Sequence, residues 1–294
     1  MHTVHSVFAR YEELRARLPQ NRARANTKPI SSLLDLQHQA NAFVFDAFGV
    51  LNVGTEPIPG AAERLDQLRE AGCAIRILSN AASNGKAQTL EKFRALGMQI
   101  AEVEIITSRD AALQAVDNRL WGVIAAPDDK LEDIPSPALR LDQDAAAYGR
   151  AEGFLFLSSA EWNAQKQAML TASLEQMPRP VVIANADLVA PRSDGLSLEP
   201  GFFGHRMADQ GQQDVRFFGK PYAEVYTLAA QTLPDIAPER IVMCGCTLHT
   251  DILGAAAQGW KTVLVTRDGV LAGQDPEKFI EASGIHPDYS LERI

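Results

Sequence analysis

The sequence predicts an α/β protein built on a parallel, Rossmann-like sheet, with a second α/β unit inserted into it. Three observations carry that prediction. The run Ala42 to Leu51, AFVFDAFGVL, reads as a buried strand that ends in a lone carboxylate, Asp46, with Gly49 where the chain must turn. From Asn41 the pattern becomes strand, turn, helix, strand, which is a βαβ unit. The stretch between about 108 and 199 has strands, helices and Pro-rich loops of its own. These divide the chain into a helical arm and linker at 1–40, a main domain in two parts at 41–107 and 200–294, and an inserted α/β unit at 108–199.

In the arm, Ser6 to Leu18 places Val7, Tyr11, Leu14 and Leu18 at helical spacing, and the polar, basic NRARANTKP that follows reads as a linker. After the first strand and the loop NVGTEPIPG, a helix over Ala61 to Ala71 puts Leu65 and Leu68 on one face and closes at Gly72. The second strand, Ala74 to Leu78, ends in Ser79 and Asn80. A right-handed crossover opens both strand ends on one edge and sets Ser79 beside Asp46. Lys86 to Leu96 reads as a helix and Glu104 to Thr107 as a strand, with Ser108 capping a helix through Val116.

Trp121 to Ala126, Gly153 to Leu157 and Val181 to Ala184 are the apolar runs of the inserted unit, the last two separated by a helix through Glu161 to Met177. After ANADLVAPRSDG the main domain resumes with a helix beyond Gly201, a short apolar run leading to Lys220 in RFFGKP, and a helix over Ala223 to Thr232. The strand Arg240 to Gly245 then runs into CGCTLHTD and the small-residue helix Ile252 to Gln258, and Lys261 to Thr266 is the last clear strand.

The totals narrow the function. At 294 residues, 46% hydrophobic and 22% charged, the chain has the composition of a globular protein of two domains. Its net charge of −9 argues against nucleic acid or an anionic membrane as partner. No apolar segment approaches the ~20 residues that span a bilayer. Arg10, Glu12, Glu13 and Arg15 crowd the N-terminus without an apolar stretch, so it does not read as a secretory signal and the expected location is the cytoplasm. Three cysteines, Cys73, Cys244 and Cys246, suit a reducing compartment, and the C-x-C pair lacks the second Cys/His pair of a zinc site.

Four strand ends thus present Asp46, Ser79, Lys220 and the Thr250-Asp251 pair. In an open parallel sheet such ends face the ligand crevice. A carboxylate, a hydroxyl, an ammonium and a second carboxylate fit phosphoryl transfer: a nucleophile, a phosphate clamp and part of a site for Mg²⁺, which takes oxygen ligands and keeps several waters.

These residues resemble the haloacid dehalogenase-like superfamily. FDAFGVL is similar to its first motif, ILSNA to its second, FGKP to its third and CGCTLHTDILGAAAQG to its fourth, GD-x-x-x-TD. The large insertion and the ANADLVAPR segment resemble subclass IIA, the group of p-nitrophenyl phosphate, phosphoglycolate and pyridoxal phosphate phosphatases. The resemblance covers residues 41 to about 270 and makes the inserted unit a cap. It implies Asp46 as the nucleophile that forms an aspartyl-phosphate, Ser79 and Asn80 as holders of the phosphoryl oxygens, and Lys220 as the neutralising charge. It implies Mg²⁺ held by Asp46, the Phe48 carbonyl and Asp251, and substrate-facing cap residues Asn185 and Asp187.

Two departures stand out. The family commonly has a second Asp two residues after the nucleophile, the acid for the leaving group, and here that residue is Phe48. General acid-base catalysis contributes ~10² to 10⁴-fold, so its loss weighs most on poor leaving groups. Cys246 stands where the fourth motif supplies a direct Mg²⁺ ligand, and a soft thiol suits Zn²⁺ or Cu(I) better than Mg²⁺. The leading expectation is a phosphatase of a small-molecule phosphoester, impaired at these two positions. The alternative is a catalytically degenerate phospho-ligand binding or regulatory protein. A dinucleotide enzyme lacks its G-x-G-x-x-G, a P-loop its Gly-Lys-Ser/Thr, and a serine hydrolase its G-x-S-x-G. His249 reads as a packing residue. A homodimer is compatible with the arm and the acidic surface.

Overall fold

The run Ala42–Phe45 forms a fully buried strand inside a seven-stranded sheet in the computed structural model, which describes residues 3–20, 26–192 and 195–294. Across the sheet the order is Lys28–Pro29, Tyr289–Leu291, Lys261–Val265, Ile241–Gly245, Ala42–Phe45, Ala74–Ser79 and Ile105–Thr107, every neighbouring pair parallel. Parallel strands are covered on both faces, which is why these segments are apolar without alternation. Phe43, Phe45, Ile75 and Ile77 pack on one face with Leu65 and Leu68 of the helix Ala61–Glu70. Val44, Leu78 and Met243 pack on the other with Val225 and Tyr226 of Ala223–Gln231. Phe45 lies opposite both Cys244 and Ile77, so the segments that follow these strands leave the sheet at one level.

A second sheet, also all parallel, runs Val215–Phe217, Val181–Ile183, Gly153–Phe156, Trp121–Ile124, Ala138–Arg140. Tyr148, Leu170, Leu174 and Met207 cover one face. Trp121, Leu155 and Val182 on the other join the cluster that holds Val44 and Tyr226, so the two units share a core. The chain departs from the sequence expectation at Val215–Phe217. That run pairs with Val181–Ile183 and belongs to the second sheet, and the main sheet resumes only at Ile241. The expected break at 199/200 therefore falls ahead of the last strand of the second sheet. Three residues, Val215, Arg216 and Phe217, carry no mark of which sheet they will join.

Smaller differences are local. Thr107, not Ser108, caps the helix Ser108–Leu113: its hydroxyl accepts from Asp110 N at 3.1 Å while Asp110 accepts from Thr107 N at 2.9 Å. The hairpin Val189–Arg192/Gly195–Leu198 and the helix Pro276–Ser283 were not read from the sequence. Among the described residues no helix is long and apolar enough to cross a membrane.

The arm joins both units. Its helix Val4–Glu13 and the turn after it bury Val7, Tyr11, Leu14 and Leu18 against Leu188 and Val189 of the inserted unit and against Leu248, Ile252 and Phe279 of the main one. Arg10 and Arg17 both pair with Asp209. The expected linker falls partly on residues 21–25, outside the described residues, and Lys28–Pro29 beyond it is an edge strand of the main sheet.

Candidate active site

Asp46 stands immediately after its strand, its N–H still donating to Cys244 O at 2.9 Å. Asp251 is carried back toward it by the π-turn Leu248–Ile252, a widened helical turn of the kind that recurs at functional sites. Gly245 makes room for this return, because a Cβ there would lie 2.1 Å from the Asp251 Cβ. Between the two carboxylates sits the buried ammonium of Lys220, 2.5 Å from Asp46 Oδ1 and 2.7 Å from Asp251 Oδ1. Asp251 Oδ2 accepts the N–H groups of Cys246 and Thr247, each at 3.0 Å.

Burial alone would lower the Lys220 pKa, but the carboxylates of Asp251, Asp46 and Asp187 outweigh it and hold the group well above its ordinary value. Lys220 is therefore a fixed positive charge. Burial, with Asp46 adding to it, pushes the Asp251 carboxyl up, and Lys220 opposes the shift. Burial pushes Asp187 up to about 8, against the pull of Lys220 and with Asp46 reinforcing it, so this carboxyl holds its proton at neutral pH.

Lys220 reaches the cluster by a different route from the one the sequence suggested. It follows the last strand of the second sheet, not a strand of the main one. Asn80 holds its backbone in place: Oδ1 accepts from Lys220 N at 2.6 Å and Nδ2 donates to Lys220 O at 2.9 Å. Gly219, at φ +101°, permits the approach, since a Cβ there would lie 2.5 Å from Asn80 Oδ1. The second Nδ2 proton goes to Asp187 Oδ1 at 2.9 Å. Both side-chain donors of Asn80 are thus engaged, which leaves only its backbone N–H for a phosphoryl oxygen. Ser79 Oγ accepts from Ala81 N at 3.2 Å, and its own proton has no acceptor among the described residues. Asn185 is likewise committed, donating to Glu199 Oε2 at 3.2 Å and accepting from Asp187 N at 2.9 Å.

Asp46, Cys246 and Asp251 each bring one ligand atom within 4.8 Å of the others. Cys246 Sγ lies 3.3 Å from the Phe48 carbonyl oxygen and 3.9 Å from Asp46 Oδ2, and those two oxygens accept only this weak thiol donor among the described residues. Two hard acceptors without a strong donor fit a divalent cation that completes its shell with water and phosphate. The third position does not fit Mg²⁺: a thiol is a soft ligand, and burial, with Asp46 and Asp251 adding to it, pushes the Cys246 thiol well up, so it holds its proton in this fold.

The cluster opens into a cavity of about 340 Å³ lined from both units and from the arm. Three of its residues, Tyr11, Lys92 and Arg192, were not read as site residues in the sequence. Tyr11 was legible as a buried helix face but not as a cavity wall. Lys92 and Arg192 carried no signal beyond charge, although Arg192 lies in the ANADLVAPR segment. Tyr11 also stacks on His249, with ring centroids 4.9 Å apart, and its hydroxyl accepts from Leu188 N at 3.1 Å. His249 Nε2 meets Glu12 Oε1 at 2.5 Å. Burial lowers this histidine to about 4, so it packs as a neutral ring.

The sequence matches two family models, one described as haloacid dehalogenase-like hydrolase over residues 43–130 and one as HAD-hydrolase-like over 217–294. It is 28% identical to rat haloacid dehalogenase-like hydrolase domain-containing protein 2 over 237 residues, 81% of this chain and 88% of that protein. It is also 28% identical to human glycerol-3-phosphate phosphatase over 318 residues, 95% of this chain and 93% of that protein. Its fold matches the crystal structure of a possible sugar phosphatase of the HAD superfamily from Cytophaga hutchinsonii with a TM-score of 0.78 at 24% identity, covering 90% of this chain and 98% of that one.

Proposed function

Since the chain belongs to the haloacid dehalogenase-like hydrolases, we propose that it hydrolyses a small phosphomonoester through a phosphorylated Asp46. The observation that carries this reading is the Lys220 ammonium set 2.5 and 2.7 Å from two carboxylates, with Lys220 and Asp46 lining the cavity. Lys220 holds the Asp46 carboxylate in position through their 2.5 Å contact. The Asp46 carboxylate attacks phosphorus while the ester P–O bond breaks, and water then cleaves the acyl phosphate and returns the carboxylate. The Ser79 hydroxyl donates to a phosphoryl oxygen. Asn80 positions Lys220 through its side chain and offers its backbone N–H to the phosphate.

Asp46 and the Phe48 carbonyl would hold Mg²⁺, with Asp251 in support, and the ion would supply positive charge to the phosphoryl oxygens. Phe48 has no proton to give, so the leaving oxygen takes its proton from water, and this favours esters of acidic alcohols and phenols. The same two side chains, Phe48 and Cys246, favour the second reading, a binding protein that has lost turnover.

Phosphate release from p-nitrophenyl phosphate and small alkyl phosphates, with Mg²⁺, separates the two. Turnover should fall by at least about 10³-fold in Asp46→Asn, as when a nucleophile is removed elsewhere. A chain that binds phosphoesters without releasing phosphate, before and after Asp46→Asn, is the binding protein.

A further inference from the structure

Beside the reacting groups the cavity carries a second set of charges. The Lys92 ammonium lies 4.1 Å from the centroid of the Phe48 ring, and the Arg192 guanidinium lies 5.6 Å from the same centroid. Lys92 comes from the helix Lys86–Ala95 of the main unit and Arg192 from the hairpin of the inserted one. Both line the cavity together with Asp46 and Lys220.

The ionic groups of this cavity pair off unevenly. Lys220 is matched by Asp46 and Asp251, and Arg192 by Glu199, 3.1 Å away. Glu199 is itself held by Ser197 Oγ at 2.7 Å and Asn185 Nδ2 at 3.2 Å, which fixes Arg192 from below. Lys92 is left with an aromatic face and a second cation. No carboxylate is within ion-pair distance of it among the described residues.

Phe48 is two residues from Asp46, so its ring borders the space next to the phosphoryl group, and a cation over that ring meets the part of the substrate beyond the ester oxygen. We infer that Lys92 and Arg192, set over the Phe48 ring, form a second anion subsite, and that the substrate is a phosphomonoester carrying another anionic group, a carboxylate or a second phosphate, a few bonds from the first. Cation–ring contact holds the two side chains in place, and the anion supplies the counter-charge that Lys92 lacks. This rests on the phosphatase reading only for the phosphoryl end.

The test is binding of three non-hydrolysable phosphonates of matched length, followed by calorimetry with Mg²⁺ present: propylphosphonate, phosphonopropionate and propylenebisphosphonate. The full-length protein should bind at least one of the last two about tenfold or more tighter than propylphosphonate. Tighter binding of phosphonopropionate identifies a carboxylate, and of propylenebisphosphonate a second phosphate. Lys92→Met and Arg192→Gln should each reduce that preference several-fold, and together abolish it. Equal binding of all three probes overturns the inference. So does a Lys92→Met protein that weakens all three by one factor, since Lys92 would then serve the phosphoryl group alone. Turnover of ethyl phosphate and of its carboxylate-bearing analogue is read alongside. Selective binding with no turnover of either ester or of p-nitrophenyl phosphate sinks the phosphatase reading and leaves the subsite standing, whereas equal turnover of both alkyl esters, with unselective binding, does the reverse.

Discussion

Two halves of one cavity face each other here, and they are held by different physics. On the Lys220 side, three ionisable groups are buried together and satisfy one another: an ammonium between two carboxylates, one of which also takes two backbone N–H groups. On the Phe48 side, the side chains at the positions of an acid and of a metal ligand are an aromatic ring and a protonated thiol, and neither carries charge. On the proposed reading, the first half holds the nucleophile in place through an ion cluster that is complete within the protein. The second half offers a cation two oxygens and offers a leaving group no proton. Binding of phosphate and its turnover can therefore vary independently in this chain.

The comparison breaks most severely at Lys220. Lys220→Met leaves Asp46 and Asp251 buried without their shared counter-charge, and removing one partner of a buried ion pair costs about 3–5 kcal/mol. The melting temperature should fall by roughly 6 °C or more, at ~2–4 °C per kcal/mol for a chain of this size. Adding Asp251→Asn to Lys220→Met should recover part of the loss, because the two groups are in direct contact and their effects are not additive.

Asp187 tests the same half through pH. Its carboxyl is pushed up to about 8, by burial first and then by Asp46, with Lys220 and the Asn80 amide opposing. The native state therefore binds more protons than the unfolded chain between about pH 4, the free carboxyl value, and about pH 8. Stability contributed by the protonated form is complete below that window and is lost as pH rises through it. Asp187→Asn keeps an oxygen for Asn80 to donate to and cannot ionise. Its melting temperature should exceed that of the parent at pH 8 and match it near pH 4. A difference that grows toward low pH would mean the carboxyl is ionised in the fold.

The other half sharpens with Cys246→Asp. The change places a hard oxygen beside the Phe48 carbonyl and Asp46, and a direct ligand should be worth at least the roughly 10 to 100-fold in metal affinity that an outer-shell partner carries. The Mg²⁺ concentration for half-maximal phosphate release should fall by at least about tenfold, read directly from a metal titration. An unchanged midpoint would show that Cys246 lies outside the metal shell.

Much of the charged half was legible in the sequence, because a carboxylate or hydroxyl that ends an apolar run in a βαβ unit has little choice of direction. Asp46 and Ser79 were found that way, and Asp251 only as part of the segment after the strand Ile241–Gly245, since the π-turn that brings it back was not read. Lys220 was found on the same rule but for the wrong strand: Val215–Phe217 is three residues long and pairs in the second sheet, and local sequence does not encode pairing partner. The task of Asn80 was not legible either, since an amide after a strand looks the same whether it faces ligand or brackets the backbone of a residue 140 positions away. Lys92 and Arg192 were silent because most cations are solvated, and only the folded chain brings them over one ring.

Tyr11 gives the smallest effect and the one that separates the arm from both halves. Its helical spacing told which face is buried but not against what. In the fold the ring is wedged between His249 of the main unit and Leu188 of the inserted one, and its hydroxyl accepts the buried Leu188 N–H at 3.1 Å. Tyr11→Phe keeps the stack and removes that acceptor, which strands a buried donor at a cost of about 1 kcal/mol or somewhat more. The expected result is a fall of roughly 2–4 °C in melting temperature, with kcat for p-nitrophenyl phosphate held within about twofold. Tyr11→Ala removes the wedge itself and should raise KM, because the cavity wall and the link between the units go together. If Tyr11→Phe alone lowers kcat by ten-fold or more at unchanged stability, the hydroxyl acts on the reacting groups and not on the packing of the arm.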